Sequence, residues 1–140
     1  MSGFLTDNGK VTMRFSTPEL KRYELSKEKN ILLPKGVFLE RFTQEGSLIC
    51  RITAKYAKFD SNQNRWEARD SVVAVNRKGE ILNTNLLYWD GNTRRVYTDD
   101  YVRIQTPEAI INGKGLESDE SFDNYEIQRI TNSFLYVRGK

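Results

Sequence analysis

The chain reads as an all-β domain of stacked, V-shaped antiparallel strands. Three observations predict it: period-two alternation from about Val37 onward, turn chemistry at regular intervals, and an internal repeat of about 30 residues. Trp66-Glu67-Ala68-Arg69 and Val96-Tyr97-Thr98-Asp99 alternate in character. Val72-Val73-Ala74-Val75 and Tyr101-Val102-Arg103-Ile104 are rich in the β-branched and aromatic side chains that suit a pleated surface. Between them lie Asp60-Ser61-Asn62-Gln63-Asn64, Asn76-Arg77-Lys78-Gly79 and Asp90-Gly91-Asn92-Thr93. Their residues accept local hydrogen bonds or tolerate positive φ.

The repeat organises these strands. Ile52-Thr53-Ala54 is followed by Ala57, Phe59 and Asp60; thirty positions on, Leu82-Asn83-Thr84 is followed by Leu87, Trp89 and Asp90. A weaker copy has Ile111-Asn112-Gly113, then Leu116, Ser118 and Asp119, and Phe38 and Phe42 trace a faint earlier one. Arg65-Trp66, Ala68, Asp70, Val72 and Ala74 likewise match Arg95-Val96, Thr98, Asp100, Val102 and Ile104. Units of this kind cannot bury an apolar face alone and must stack into one continuous core.

Because alternate strand residues point to opposite sides, parity assigns the faces. One set, Ala57, Phe59, Trp66, Ala68, Val72, Ala74, Leu82, Thr84, Leu87, Trp89, Val96, Thr98, Val102 and Ile104, forms an apolar lining. The other holds Lys58, Arg65, Glu67, Arg69, Asn83, Arg95, Tyr97, Asp99 and Arg103 and is a solvated face. Parity slips by one between Ala54 and Ala57 and again between Thr84 and Leu87, which predicts a repeated β-bulge that bends each strand. Residues 1–36 form an entry segment joined to the same domain, and 37–140 the main body. Helical signals occur only in Pro18 to Leu25, where Thr17 could cap a short helix and Pro18 would take its first position.

Composition removes several function classes. No histidine is present, so His bases, Ser-His-Asp triads and His metal sites are excluded. The single cysteine, Cys50, makes neither an internal disulfide nor a zinc site, and reads as an inert thiol. With 22 Lys and Arg against 19 Asp and Glu, interspersed, the net charge of +3 marks no nucleic-acid stripe. No apolar stretch approaches the ~18 residues of a membrane span, and Met1-Ser2-Gly3-Phe4-Leu5 lacks a signal peptide's apolar run. Composition alone is compatible with a cytosolic chain and with one whose targeting segment has been removed.

Sharper readings of individual residues give way to plainer ones. Asp60, Asp70, Asp90 and Asp100 could be paired carboxylates, but each is expected at a turn or strand end, in a local bonding role. Asp90-Gly91-Asn92-Thr93 lacks the spacing and final Glu of a calcium loop. Gly113-Lys114-Gly115 is not a phosphate loop, and its glycines suit a bend or a close backbone approach. Trp66 and Trp89 fit a ligand platform and core packing equally. The apolar lining is the one candidate site, and the residues suit either a ligand-holding gutter or a filled core.

The motifs Ile-x-Ala-x-x-Ala-x-Phe-Asp (from Ile52), Trp-x-Ala-x-x-x-Val-x-Ala-Val-Asn-x-x-Gly-Glu-x-Leu-x-Thr (from Trp66), then Leu-x-Trp-Asp, Val-Tyr-Thr-Asp, Val-x-Ile and Gly-x-Gly-Leu-x-x-Asp resemble the LptC family. These are periplasmic proteins of lipopolysaccharide export, of the OstA/LptA fold type, and the spelling is nearest the Bacteroidetes branch. The similarity runs in order from about Phe38 to Asp119, with Val11 to Glu24 like the family's entry region. It implies a β-jellyroll with an apolar interior, no enzymatic activity and no cofactor or metal. It also implies lipopolysaccharide as ligand, held along the lining. An LptB/LptF/LptG-type ABC transporter would stand on the N-terminal side, at an edge carrying Val11, Met13 and Phe15. An LptA-like bridge protein would pair at the C-terminal edge, carrying Phe134 and Tyr136. A periplasmic location follows, with inner-membrane anchoring by an N-terminal segment not in this sequence. The rival readings are a periplasmic lipid or glycan carrier and a structural β-repeat with a filled core.

Overall fold

The computed structural model describes residues 2–7, 9–25 and 28–135. Among them twelve strands form one antiparallel sheet: β1 (Ser2–Asp7), β2 (Lys10–Ser16), β3 (Lys21–Leu25), β4 (Glu28–Leu33), β5 (Val37–Phe42) and β6 (Leu48–Ala54) come first. They are followed by β7 (Tyr56–Asp60), β8 (Arg65–Asn76), β9 (Ile81–Asp90), β10 (Arg95–Gln105), β11 (Ala109–Asp119) and β12 (Tyr125–Leu135). The sheet is not closed into a barrel, as the all-β jellyroll reading requires.

The V shape lies in the register. The N-terminal half of β8 pairs with β7 (Phe59↔Trp66), whereas its C-terminal half pairs with β6 (Ile52↔Ala74). Two leaves therefore fold about a seam. One contains β1-β2-β5-β6 and continues through the halves of β8 to β12 that end in Asn76, begin at Ile81, end in Gln105, begin at Ala109 and end in Leu135. The other contains β3-β4-β7 and continues through the remaining halves.

The seam is a line of bulges. Register shifts fall between Arg69 and Val72, between Thr98 and Tyr101, and between Asn112 and Gly113. Asp70 and Ser71 have positive φ (66° and 53°), as does Gly115 (82°). An extra residue in one strand bends it and sharpens its twist. The slips predicted at Ala54–Ala57 and Thr84–Leu87 lie on this line, where Lys55 N–H donates to Asp70 O at 3.0 Å and the Thr84 hydroxyl to Tyr101 O at 2.8 Å. A Cβ at Gly113 would come within 2.7 Å of Arg129 O, so that glycine allows the close backbone approach expected of it.

Two expectations need correction. The segment Pro18–Leu25 is no helix: Lys21–Leu25 is a strand paired with β4, from Lys21↔Leu32 to Leu25↔Glu28. An eight-residue helix is marginal on its own, and pairing into the sheet outweighs its local signals. The Thr17 hydroxyl caps nothing helical and bonds Gly36 O at 2.6 Å. Asp70 and Asp100 lie in mid-strand bulges rather than at turns, because the bend comes halfway along each strand; Asp100 Oδ1 accepts from Tyr101 N–H at 2.7 Å. Asp60, Asp90 and Asp119 do organise turns. Each accepts two backbone N–H groups, from Asn62 and Gln63, from Asn92 and Thr93, and from Ser121 and Asp123.

Candidate binding gutter

The inner faces of the two leaves meet differently at the two ends of the sheet. Toward β11 and β12 they close on each other. Val72, Ala74, Leu82, Val102, Ile104 and Leu116 are all at most 5% exposed and form one cluster with Cys50, Leu87, Val96 and Phe122. Toward β2–β5 the leaves part, leaving an apolar gutter of about 290 Å³.

Met13, Phe15, Leu39, Val37 and Ile52 line one wall of this gutter, and Ile31, Leu33, Ala57, Trp66, Ala68, Leu87 and Trp89 the other. The register explains the first wall: Met13↔Arg41 and Phe15↔Leu39 place alternate residues of β2 and β5 on the inner face. Arg14, on the outer face, pairs with the buried Glu40 carboxylate, its Nε 3.0 Å from Oε1, and ties β2 to β5. Two larger depressions, of about 420 and 410 Å³, are open troughs with mixed polar linings, one at the bend and one near Lys78 and Glu126. The gutter is the better ligand site because its walls are apolar, and burial of apolar area supplies the binding free energy.

The gutter ends abruptly. Arg41 crosses from β5 to lie over the Trp89 ring, 5.6 Å from its centroid, and its Nη1 donates to Glu120 O at 2.9 Å. Trp89 Nε1 donates to the Glu120 carboxylate at 2.6 Å. Arg41 Nε is buried with no partner. Behind this barrier Cys50 is fully buried, and burial pushes its thiol up to about 11.

The sequence-derived lining therefore divides. Ala57, Trp66, Ala68, Leu87, Trp89 and Val96 border the gutter, while Val72, Ala74, Leu82, Thr84, Thr98, Val102 and Ile104 lie in the closed part. Phe59 packs against Trp66 with ring centroids 5.1 Å apart. The two alternatives left open by the residues, gutter and filled core, each describe one end of the molecule. Sequence reasoning missed the lining residues contributed by β2 and β5 to one wall and by β4 to the other, and Arg41. The alternation Met13-Arg14-Phe15-Ser16 and Val37-Phe38-Leu39-Glu40-Arg41 carried that signal.

The N-terminal edge also needs correction. Val11 to Phe15 lie in β2, which pairs on one side with β1 (Leu5↔Met13) and on the other with β5, so its backbone is not a free edge. Met13 and Phe15 turn into the gutter instead. At the other end β12 pairs with β11 alone among the described strands. Tyr136 lies outside the described residues, as do the side chains of Val11 and Phe134. Among the described residues no cluster of His, Cys, Asp or Glu could hold a metal ion, and no helix is long and apolar enough to cross a membrane.

A bent open sheet with an apolar gutter between its leaves is the architecture that the motif resemblance implied, and comparison with known families decides the matter. The family model "Lipopolysaccharide-assembly, LptC-related" matches residues 4–131. The chain belongs to the LptC family. No curated protein matches it. Membership gives this LptC-family chain a role in lipopolysaccharide transport and outer-membrane biogenesis, with lipopolysaccharide and the Lpt transport machinery as its setting. The family is periplasmic and associated with the inner membrane, and is a transport family not known for enzymatic activity.

Proposed function

We propose that the gutter holds acyl chains of lipopolysaccharide delivered from an LptB/LptF/LptG-type inner-membrane transporter at the β1–β5 side. The chain then passes them to an LptA-like bridge protein that pairs with β12, without catalysing any reaction. The observation that carries this reading is the apolar gutter, open between two leaves that elsewhere are packed shut.

Its size suits a relay. Fully burying a dozen methylenes would be worth about 10 kcal/mol at about 0.8 each, a dissociation constant near 10⁻⁷–10⁻⁸ M by the ordinary conversion of about 1.4 kcal/mol per decade. Several chains held that way would leave slowly. A gutter of about 290 Å³ encloses only part of such a ligand, which keeps release possible. An unpaired strand edge in turn presents backbone donors and acceptors that a partner strand satisfies. Membrane association in this reading comes from an N-terminal anchor.

The test is photo-crosslinking to lipopolysaccharide with probes at Trp66 and Trp89, and at Arg103 as the outward control. Adducts at the inner pair alone are expected. Their absence in folded protein supplied with lipid would overturn the reading. A closed lipid or glycan carrier would give the same adducts but capture no strand-pairing partner at β12.

A further inference from the structure

The three turns at the tips of the second leaf should be equivalent by repeat, and one is not. Residues 61–64 and 91–94 make four-residue, solvent-facing turns, whereas 120–124 has five residues. That third turn carries Phe122, which is 4% exposed, has a positive φ of 58°, and completes the closed cluster. A bulky side chain in the left-handed region is uncommon and costs backbone free energy. Burying the ring offsets that cost.

The same turn is strapped to the opposite leaf. Asn76 Nδ2 donates to Phe122 O at 2.8 Å, Arg77 pairs with Asp123 at 2.6 Å, and Lys78 Nζ donates to Asp123 O at 2.8 Å. Tyr125 OH donates to Glu80 Oε2 at 2.8 Å. All four residues on the first leaf belong to the turn joining β8 to β9 or flank it. Arg41 and Trp89, which end the gutter, hold the same strap through Glu120. The outer part of the strap is latched by the exposed contacts of Arg77 and Lys78 to Asp123, which contribute little individually. The bonds beneath, to Phe122 O, Glu80 and Glu120, are wholly or partly buried, and the buried Arg41 Nε is left unmatched.

We propose that the turn Asp119–Asn124 is a latched gate, with Phe122 as its plug and Arg41, Trp89 and Glu120 as its inner bar, separating the gutter from the β11–β12 end. This rests on the lipid reading above: in the closed arrangement a chain lying in the gutter cannot reach the edge at which it would be handed on. Lifting the turn withdraws Phe122 from between the leaves and joins the gutter to the space it vacates.

Two readouts test the gate separately from the lipid reading. Cys50 is the sole thiol in the chain and lies beneath the strap, its Sγ 3.9 Å from Glu120 O, so its alkylation by N-ethylmaleimide reports opening without any lipid. Arg77→Ala with Asp123→Asn should raise that rate about threefold at unchanged thermal midpoint, as for a local opening distinct from global unfolding. An unchanged rate would overturn the gate. For passage, photo-probes at Trp66 in the gutter and Ile127 on β12 are compared with purified lipopolysaccharide. The arms are the unlatched variant, Phe122→Ala, and a Cys50→Ser protein whose Arg77→Cys and Asp123→Cys thiols are joined by a short bismaleimide. The Ile127-to-Trp66 adduct ratio should rise at least about fivefold in the first two and fall to background in the third, following the open population. An equal ratio in all three would overturn the gate. Loss of Trp66 adducts throughout would instead sink the lipid reading, with Cys50 alkylation still deciding whether the strap moves.

Discussion

The same two leaves face each other along the whole molecule, yet at one end they are packed shut and at the other they hold a gutter. The closed end is built from residues such as Val72, Ala74, Val102 and Leu116, with Phe122 inserted from a turn. The open end has larger side chains, Trp66 and Trp89 among them, and still does not fill, because its turns at 61–64 and 91–94 send nothing inward. Closure in this fold therefore depends less on the size of the strand residues than on whether a tip turn contributes a plug.

The largest effects should break this comparison outright. Leu116→Ala, at 1% exposure, should cost about 2–5 kcal/mol in urea unfolding, since it removes transfer free energy and leaves a cavity. Leu39→Ala, on the gutter wall, should cost about 1 kcal/mol, because water already reaches that surface. Equal costs would mean that the gutter is closed in solution. The converse change makes the open end resemble the closed one. Ala68→Phe places a ring in the gutter and should cut lipopolysaccharide adducts at Trp66 at least about tenfold while lowering stability by less than about 1 kcal/mol. Retained adducts would place the lipid elsewhere.

A third prediction concerns edges rather than interiors. Proline at Phe134 removes one backbone donor near the end of β12 and fits poorly into a strand joined to another on both sides. Phe134→Pro should abolish capture of an LptA-like partner while Trp66 adducts persist. Capture at wild-type strength would remove β12 from the proposal.

Much of this was legible in the sequence. Alternation and the repeat gave the strands, the inward parity and the bend, and the motifs gave the family. What escaped was whatever depends on contacts between remote segments. Lys21–Leu25 looks helical in isolation and becomes a strand because Glu28–Leu33 pairs with it. Val11 to Phe15 looks like an edge until β1 is laid against it. Phe122 stood in plain view, an aromatic where the matching turns have Asn, Gln or Thr, but its inward course depends on a backbone φ that spacing does not show.

A last comparison probes the closed end through its thiol. Burial raises Cys50 from 9.0 to about 11, so the folded state keeps its proton over a range in which the unfolded state has lost it. With the folded value raised, the associated stability is fully present below pH 9 and is lost as pH rises from 9 to 11. A shift of this size corresponds to roughly 2–3 kcal/mol at full titration, at about 1.4 kcal/mol per unit. Lysines and tyrosines titrate over the same range, so the measurement is a difference. Urea unfolding of wild type and Cys50→Ala is compared at pH 8 and pH 11, with the alanine variant expected to start less stable and to lose less. Parallel losses in the two proteins would show that Cys50 is reached by water in the folded state, and that the end described as shut is open in solution.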